Sequence, residues 1–193
     1  MSETIGIVGM GVMGKNIALN FCDNDMNVVV FNKSKNKIND LIHESSKKNI
    51  SGFTKLDEFV KNIETPRKIL LMVPSGEATK SVADELLGML DNDDILIDGG
   101  NSFYKDSVEL GNKCKEKKIR FVGMGVSGGE TGARHGPALM LGTDDTISKN
   151  LLSMIKSISA KSSYGDCVGV YKGYGTGHFI KMLHNGIEYA EMQ

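Results

Sequence analysis

Five short apolar runs alternate with helical patterns along this chain, and that alternation limits the folds open to it. The runs are TIGIV (4–8), NVVVF (27–31), RKILLMV (67–73), DILID (94–98) and IRFVGMGV (119–126). Between them lie the helical patterns VMGKNIALNFCDN, KNKINDLIHESS, LDEFVKNI, EATKSVADELLGML and KDSVELGNKCKEK. Such alternation predicts the doubly wound α/β class, a mostly parallel sheet with helices on both faces. The strand runs are nearly continuous in apolar residues, as expected of strands covered on both sides. The Lys-, Asn- and Ser-rich stretch 32–49 reads as a solvated helix and its flanks. Beyond Gly142 the sequence predicts a helix over 145–158, a hairpin around YGD (164–166), the glycine-rich connector YKGYGTG and one long C-terminal helix. There is no internal repeat. We place a boundary between a domain at 1–172 and the connector and helix at 173–193. The last helix is still running at Gln193 with no C-cap signal, so the chain is expected to be part of a longer protein.

With 23 Lys and Arg against 24 Asp and Glu, the net charge is -1. That balance gives no general attraction to nucleic acid or anionic lipid, so any anion must be held by a local site. Cys22, Cys114 and Cys167 are far apart and in no metal-ligand spacing, which predicts three reduced thiols. No signal peptide precedes the first strand, and no apolar run approaches membrane-spanning length. The expectation is a soluble cytoplasmic protein without a nucleic-acid or membrane partner.

GMGVMG (Gly9, Met10, Gly11, Val12, Met13, Gly14) stands between the first strand and the first helix. Alone, G-x-G-x-x-G is a weak signal. In a strand–turn–helix context it marks a Rossmann-like, dinucleotide-binding fold. Gly9 would permit the tight turn, Gly11 the approach of a pyrophosphate to the backbone, and Gly14 close helix–strand packing. The helix N-terminus would then offer free N–H groups to the anion. NAD-binding folds usually place Asp or Glu at the end of the second strand to bind the ribose hydroxyls. This chain has Asn32, Lys33 and Ser34 instead. An amide, a cation and a hydroxyl suit a 2′-phosphate, so the sequence predicts NADP over NAD. Lys33 could instead merely solvate a helix start, and as a point charge it would select less sharply than an arginine fork.

Two loops, IDGGNS (97–102) and GVSGGETGARHG (125–136), follow strands, and ligands of open α/β sheets bind beyond the carboxyl ends of the strands. Ser127, Gly128 and Gly129 offer a hydroxyl and unshielded N–H groups to a carboxylate. Asn101 could donate and accept across the same crevice. The last helix, GHFIKMLHNGIEY (177–189), carries an apolar stripe at Ile180, Leu183 and Ile187, which is expected to be its buried side. Lys181, His184, Asn185, Glu188 and Tyr189 line the other face. A solvated face remains an open reading, although five different functional groups are more than solvation needs. Gly186 costs about 1 kcal/mol relative to Ala in mid-helix, so something is expected to pack close to it.

Taken together, GMGVMG, FNKS, IDGGNS, GVSGGETGARHGPALM and GHFIKMLHNGIEY resemble the N-terminal part of the 6-phosphogluconate dehydrogenase family, over essentially the whole chain. The resemblance implies oxidation of the C3 hydroxyl of 6-phosphogluconate with NADP. Loss of CO2 and tautomerisation of the enediol to ribulose 5-phosphate would follow. It implies Lys181 as the general base for the C3 hydroxyl and Glu188 as the acid that protonates C1. Asn101, Ser127, Gly128, Gly129, His184, Asn185 and Tyr189 would hold the sugar acid and its phosphate. The cofactor would lie against the residues of GMGVMG, Asn32, Lys33, Ser34, Val73, Pro74, Ser75 and Asn101, with no metal required. Lys181 and Glu188 stand two turns apart, about 10 Å along a helix axis, so they can address different carbons of one substrate. Lys181 must be neutral to act as a base, so burial or a nearby cation should lower its pKa. In the family a long all-helical domain follows and forms most of a homodimer interface. Residues 173–193 would be the connector and first helix of that domain, and this chain alone would have little or no turnover.

Some positions depart from the family pattern. The family commonly has Ala where Gly11 stands, Arg and Thr at Lys33 and Ser34, and Val-Lys-Ala at Val73, Pro74 and Ser75. Leu141 replaces a frequent Pro. Two rivals stay open: a related β-hydroxyacid dehydrogenase, and a non-catalytic NADP(H)-binding module. ETGARHGPALM and HNGIEY count against the first; retention of Lys181 and Glu188 counts against the second.

Overall fold

A computed structural model describes residues 3–45 and 49–193. In chain order its first half contains β1 (Thr4–Val8), α1 (Val12–Asp23), β2 (Asn27–Phe31), α2 (Lys35–Glu44), β3 (Ile50–Phe53), α3 (Leu56–Lys61), β4 (Lys68–Leu71), α4 (Glu77–Leu87) and β5 (Ile95–Asp98). There follow α5 (Tyr104–Glu116), β6 (Arg120–Ser127), α6 (Gly129–His135), β7 (Ala138–Thr143), α7 (Lys149–Ile158), β8 (Lys161–Ser162), β9 (Gly165–Asp166), β10 (Val168–Lys172) and α8 (Thr176–Met192). Among the described residues eight strands form one sheet, ordered β10-β7-β6-β5-β4-β1-β2-β3. Neighbours from β3 to β6 are parallel; β7 runs antiparallel to β6, and β10 runs parallel to β7. The doubly wound, Rossmann-like expectation therefore holds, with a reversed pair added at one edge.

Strand alternation divides the core into two layers. Ile5, Ile7, Leu70 and Ile97 pack on one face with Ile17 and Phe21 of α1 and Leu151, Met154 and Ile155 of α7. Val8, Leu71 and Leu96 pack on the other with Phe59 of α3, Leu86 of α4 and Cys114 of α5. The five expected strands and the YGD hairpin, β8 with β9, are all present. The sequence did not announce β3, β7, β10 or the short helix α6. Glycines weaken the local signal in ISGF and GETGARH, and β10 is largely exposed at the sheet edge. The expected helix over 145–158 starts only at Lys149, where the Ser148 hydroxyl accepts from the Leu151 N–H at 3.2 Å. The solvated stretch 32–49 holds α2, whose Ile38 and Leu41 are nevertheless buried; residues 46–48 of it lie outside the described residues. Cys22 and Cys114 are buried and Cys167 half-buried, and none of the three is in a disulfide among the described residues. No helix among the described residues is long and apolar enough to cross a membrane.

The largest correction concerns the last helix. Leu183 and Ile187, expected on its buried side, are 51% and 64% exposed. Gly177 and His178 are buried instead, and Lys181 and Asn185 are half-buried against the domain. Close packing on β6 decides this orientation. A Cβ on Gly125 would lie 2.6 Å from the Lys181 Cβ and 2.8 Å from the Gly177 carbonyl oxygen. The glycines of FVGMGV thus make a flat track on which α8 sits backbone to backbone. Gly186, by contrast, has no atom within 4 Å of where a Cβ would be, so the expected close neighbour is not among the described residues.

Candidate dinucleotide and substrate site

The β1–α1 turn is built as the motif predicts. Gly9 has φ +97°, and a Cβ there would lie 2.6 Å from the Met72 carbonyl oxygen. Its N–H donates to the Phe31 carbonyl at 2.9 Å, tying the turn to the end of β2. Gly11 is the N-cap of α1, and a Cβ there would meet nothing within 4 Å, so its backbone faces open space. Above the turn lies a cleft of about 480 Å³, lined by Gly11, Val12, Met13 and Gly14, by Val73, Pro74 and Ser75, and by Asn101 and Lys181. A second hollow of about 250 Å³, lined by Asn32 and Lys33, shares Val73 and Pro74 with it. The carboxyl ends of the central strands thus carry one continuous surface from the second strand to the last helix.

Asn32 is more engaged than its sequence suggests. Its Oδ1 accepts from the Met10 N–H at 3.0 Å, and its Nδ2 donates to the Ser34 carbonyl at 3.1 Å. The amide binds the glycine turn to the start of α2, which leaves it one N–H and one oxygen lone pair for a ligand. Lys33 and Ser34 are exposed, and Ser34, the N-cap of α2, makes no side-chain cap bond. A 2′-phosphate at this position would therefore meet Lys33 and the Ser34 hydroxyl before Asn32.

On the substrate side, the structure brings Lys181 and Asn101 to the same cleft. Burial pushes the Lys181 ammonium below its ordinary pKa of 10.5, with the Glu188 carboxylate opposing. Asn185 lines an adjoining hollow of about 290 Å³ with Asn101, Ser102 and His178. Ser127 is buried at the end of β6, while Gly128 and Gly129 are exposed at the start of α6 with φ +134° and +60°. His184, Glu188 and Tyr189 are exposed further along α8, and His184 Nδ1 stands 3.6 Å from Glu188 Oε2. They line neither the cleft nor that hollow. Among the described residues, no group of three or more His, Cys, Asp or Glu side chains could hold a metal ion.

Sequence reasoning passed over His178. Only 3% exposed, it reaches Ser107 on α5 at 2.7 Å and the Gly100 carbonyl at 3.1 Å. Its place one turn before Lys181, in GHFIK, was the available signal.

Residues 4–171 match the family model described as the NAD binding domain of 6-phosphogluconate dehydrogenase. This chain belongs to that family. Within the 6-phosphogluconate dehydrogenase family, the decarboxylating enzymes of Staphylococcus aureus and Staphylococcus epidermidis are each 46% identical to it over 194 residues. Those alignments cover 100% of this chain, which spans 42% of the length of each relative. The 6-phosphogluconate dehydrogenase of Plasmodium falciparum, described as apo, with its cofactor NADP+ and with its substrate 6-phosphogluconate, superposes with a TM-score of 0.89 at 33% identity. That match covers 98% of this chain and 41% of the other. A 3-hydroxyisobutyrate dehydrogenase of Mycobacterium tuberculosis shares the fold at 20% identity and TM-score 0.79, over 97% of this chain and 60% of its own.

Proposed function

We propose that this chain is the cofactor-binding part of an NADP-dependent, decarboxylating 6-phosphogluconate dehydrogenase. The observation that carries the reading is the single cleft joining the glycine turn to a half-buried lysine of depressed pKa. The turn fits a dinucleotide: Gly11 leaves its backbone uncovered, and the α1 N-terminus faces the same space. NADP+, when bound, would accept the hydride from C3 of the substrate. Lys181 takes the proton of the C3 hydroxyl, which its depressed pKa favours by raising the neutral fraction. Once C3 is a ketone, the carboxylate on C2 leaves as CO2. The electrons of the C1–C2 bond pass to the C3 oxygen, which takes the proton back from Lys181 to give the enediol, and the former C2 becomes its C1. Glu188 then protonates C1 of the enediol. Asn101, Ser127, Gly128, Gly129, His184, Asn185 and Tyr189 hold the sugar acid and its phosphate. We assign residues 1–172 to the dinucleotide-binding domain and 173–193 to the start of a following helical domain, in a cytoplasmic homodimer. The exposed Leu183 and Ile187 agree with a further domain covering α8.

Calorimetric titration with NADP+ and NAD+ tests the cofactor assignment. Binding of NADP+ tighter by about tenfold, or about 1.4 kcal/mol, is expected. Equal affinities would mean that Lys33 and Ser34 do not read the 2′-phosphate. Turnover of 6-phosphogluconate by the full-length protein tests the reaction, and its failure would leave cofactor binding standing without the substrate.

A further inference from the structure

His178 stands between the two sides of the cleft. It occupies the first turn of α8, one turn before Lys181, and its ring is buried against the loop that carries Asn101. Nε2 lies 3.1 Å from the Gly100 carbonyl oxygen, and a carbonyl can only accept, so Nε2 carries the hydrogen. In the neutral ring Nδ1 is then the acceptor, and the Ser107 hydroxyl donates to it at 2.7 Å. Both ring nitrogens are satisfied, by different elements, and the tautomer is fixed. β6 closes the remaining side, since a Cβ on Gly123 would lie 3.2 Å from Nδ1. The loop itself is stiffened by the Gly100 N–H, which donates to Asp98 Oδ1 at 3.1 Å.

We propose that His178 is a positioning residue that locks the Asn101 loop and the Lys181 helix in one register across the cleft. The kinetic part of this inference rests on the function proposed above; the geometric part does not. Gly100 lines the cleft beside Asn101, His178 lies one turn before Lys181, and the Nε2–H to carbonyl bond joins the two elements directly. Loss of that donor frees the Gly100–Asn101 peptide, and Asn101 then moves relative to the Lys181 amine. The Ser107 bond serves to hold the tautomer that leaves Nε2 protonated.

Side chains that keep or remove the donor separate this role from simple core filling. In the full-length protein, His178→Gln keeps an N–H donor near the Nε2 position. His178→Asn carries its amide only as far as the Nδ1 position, short of the Gly100 carbonyl, and His178→Met fills the space without a donor. His178→Gln should hold kcat within about threefold, whereas His178→Asn and His178→Met should lower it by about tenfold or more, because small misplacements at a reacting centre are costly. KM for NADP+ should stay near the original value in His178→Gln, whereas any rise in His178→Asn and His178→Met should accompany the fall in kcat, since Asn101 lines the same cleft as the glycine turn. Crystal structures of the variants should show the Gly100–Asn101 peptide in place with Gln and displaced by about 0.5 Å or more with Asn and Met. His178→Met guards against a polar variant that fails to fold. Equal kcat and equal peptide positions in all three variants would overturn the proposal. Absence of 6-phosphogluconate turnover in the unsubstituted protein would overturn the proposed function instead, and the peptide positions would still decide the role of His178.

Discussion

At Lys181 the charge and the burial oppose each other, and the lowered pKa records that conflict. Lys181→Met keeps the stem and removes the ammonium. In the full-length protein it is expected to abolish oxidation of 6-phosphogluconate while NADP+ binding, measured calorimetrically, survives. Thermal stability should not fall, because a partly desolvated charge has been replaced by an apolar group of similar length. Near-normal turnover would remove Lys181 from the role of base. His178 makes a prediction of opposite experimental character. Burial pushes its pKa below the ordinary 6.5, against the pull of the Asp98 carboxylate, so the fold favours the neutral ring. A depressed folded pKa means that the stability it confers is complete above pH 6.5. That stability is lost as the pH falls from there through the folded value. The melting temperature should therefore decline on acidification below pH 6.5, and less steeply in His178→Gln. Parallel declines in the two proteins would show that His178 is not the titrating group.

At the scale of elements, the seat of α8 on the sheet depends on glycines that have no catalytic part to play. Gly125→Ala would place a Cβ 2.8 Å from the Gly177 carbonyl oxygen, which is backbone and cannot rotate away. Overpacking of this kind costs about 1–3 kcal/mol. The helix should shift outward and carry Lys181 away from the cleft, so denaturation should show the lower stability and kcat should fall in the full-length protein. An unchanged denaturation midpoint would mean that α8 tolerates lateral movement. The same contact explains a misreading. Periodicity put Ile180, Leu183 and Ile187 on the buried side, but the glycine track takes up another side of the helix, which leaves Ile180 half-buried and Leu183 and Ile187 exposed. Likewise, Asn32 is plainly readable as the residue replacing an acid, yet its bond to the Met10 N–H exists only once β2 lies beside β1.

The whole molecule separates binding from support along the sheet. The cleft opens at the carboxyl ends of the strands, while Asp94 is buried just before β5 at the opposite end. Asp94 accepts from the Arg67 backbone N–H at 2.6 Å, from Arg67 Nη1 at 2.8 Å and from the Asp91 N–H at 2.9 Å. Asp94→Ala leaves those donors short of a partner and is expected to cost about 3 kcal/mol of unfolding free energy. Chemical denaturation would measure that loss, and NADP+ affinity, read separately, should not change. A large loss of affinity would show that the two ends are coupled. The sequence by itself determined the α/β class, the five central strands and the glycine turn, and it singled out Lys181 and Asn101, which the fold brings to one cleft. Those features depend on local periodicity and on residues whose chemistry is evident in isolation. Tertiary structure alone decided the reversed edge strands, the outward turn of Leu183 and Ile187, the engagement of Asn32 and the bridge through His178. Each of these depends on which surfaces meet, and a helix with two usable faces packs on the one that lets its backbone approach the sheet.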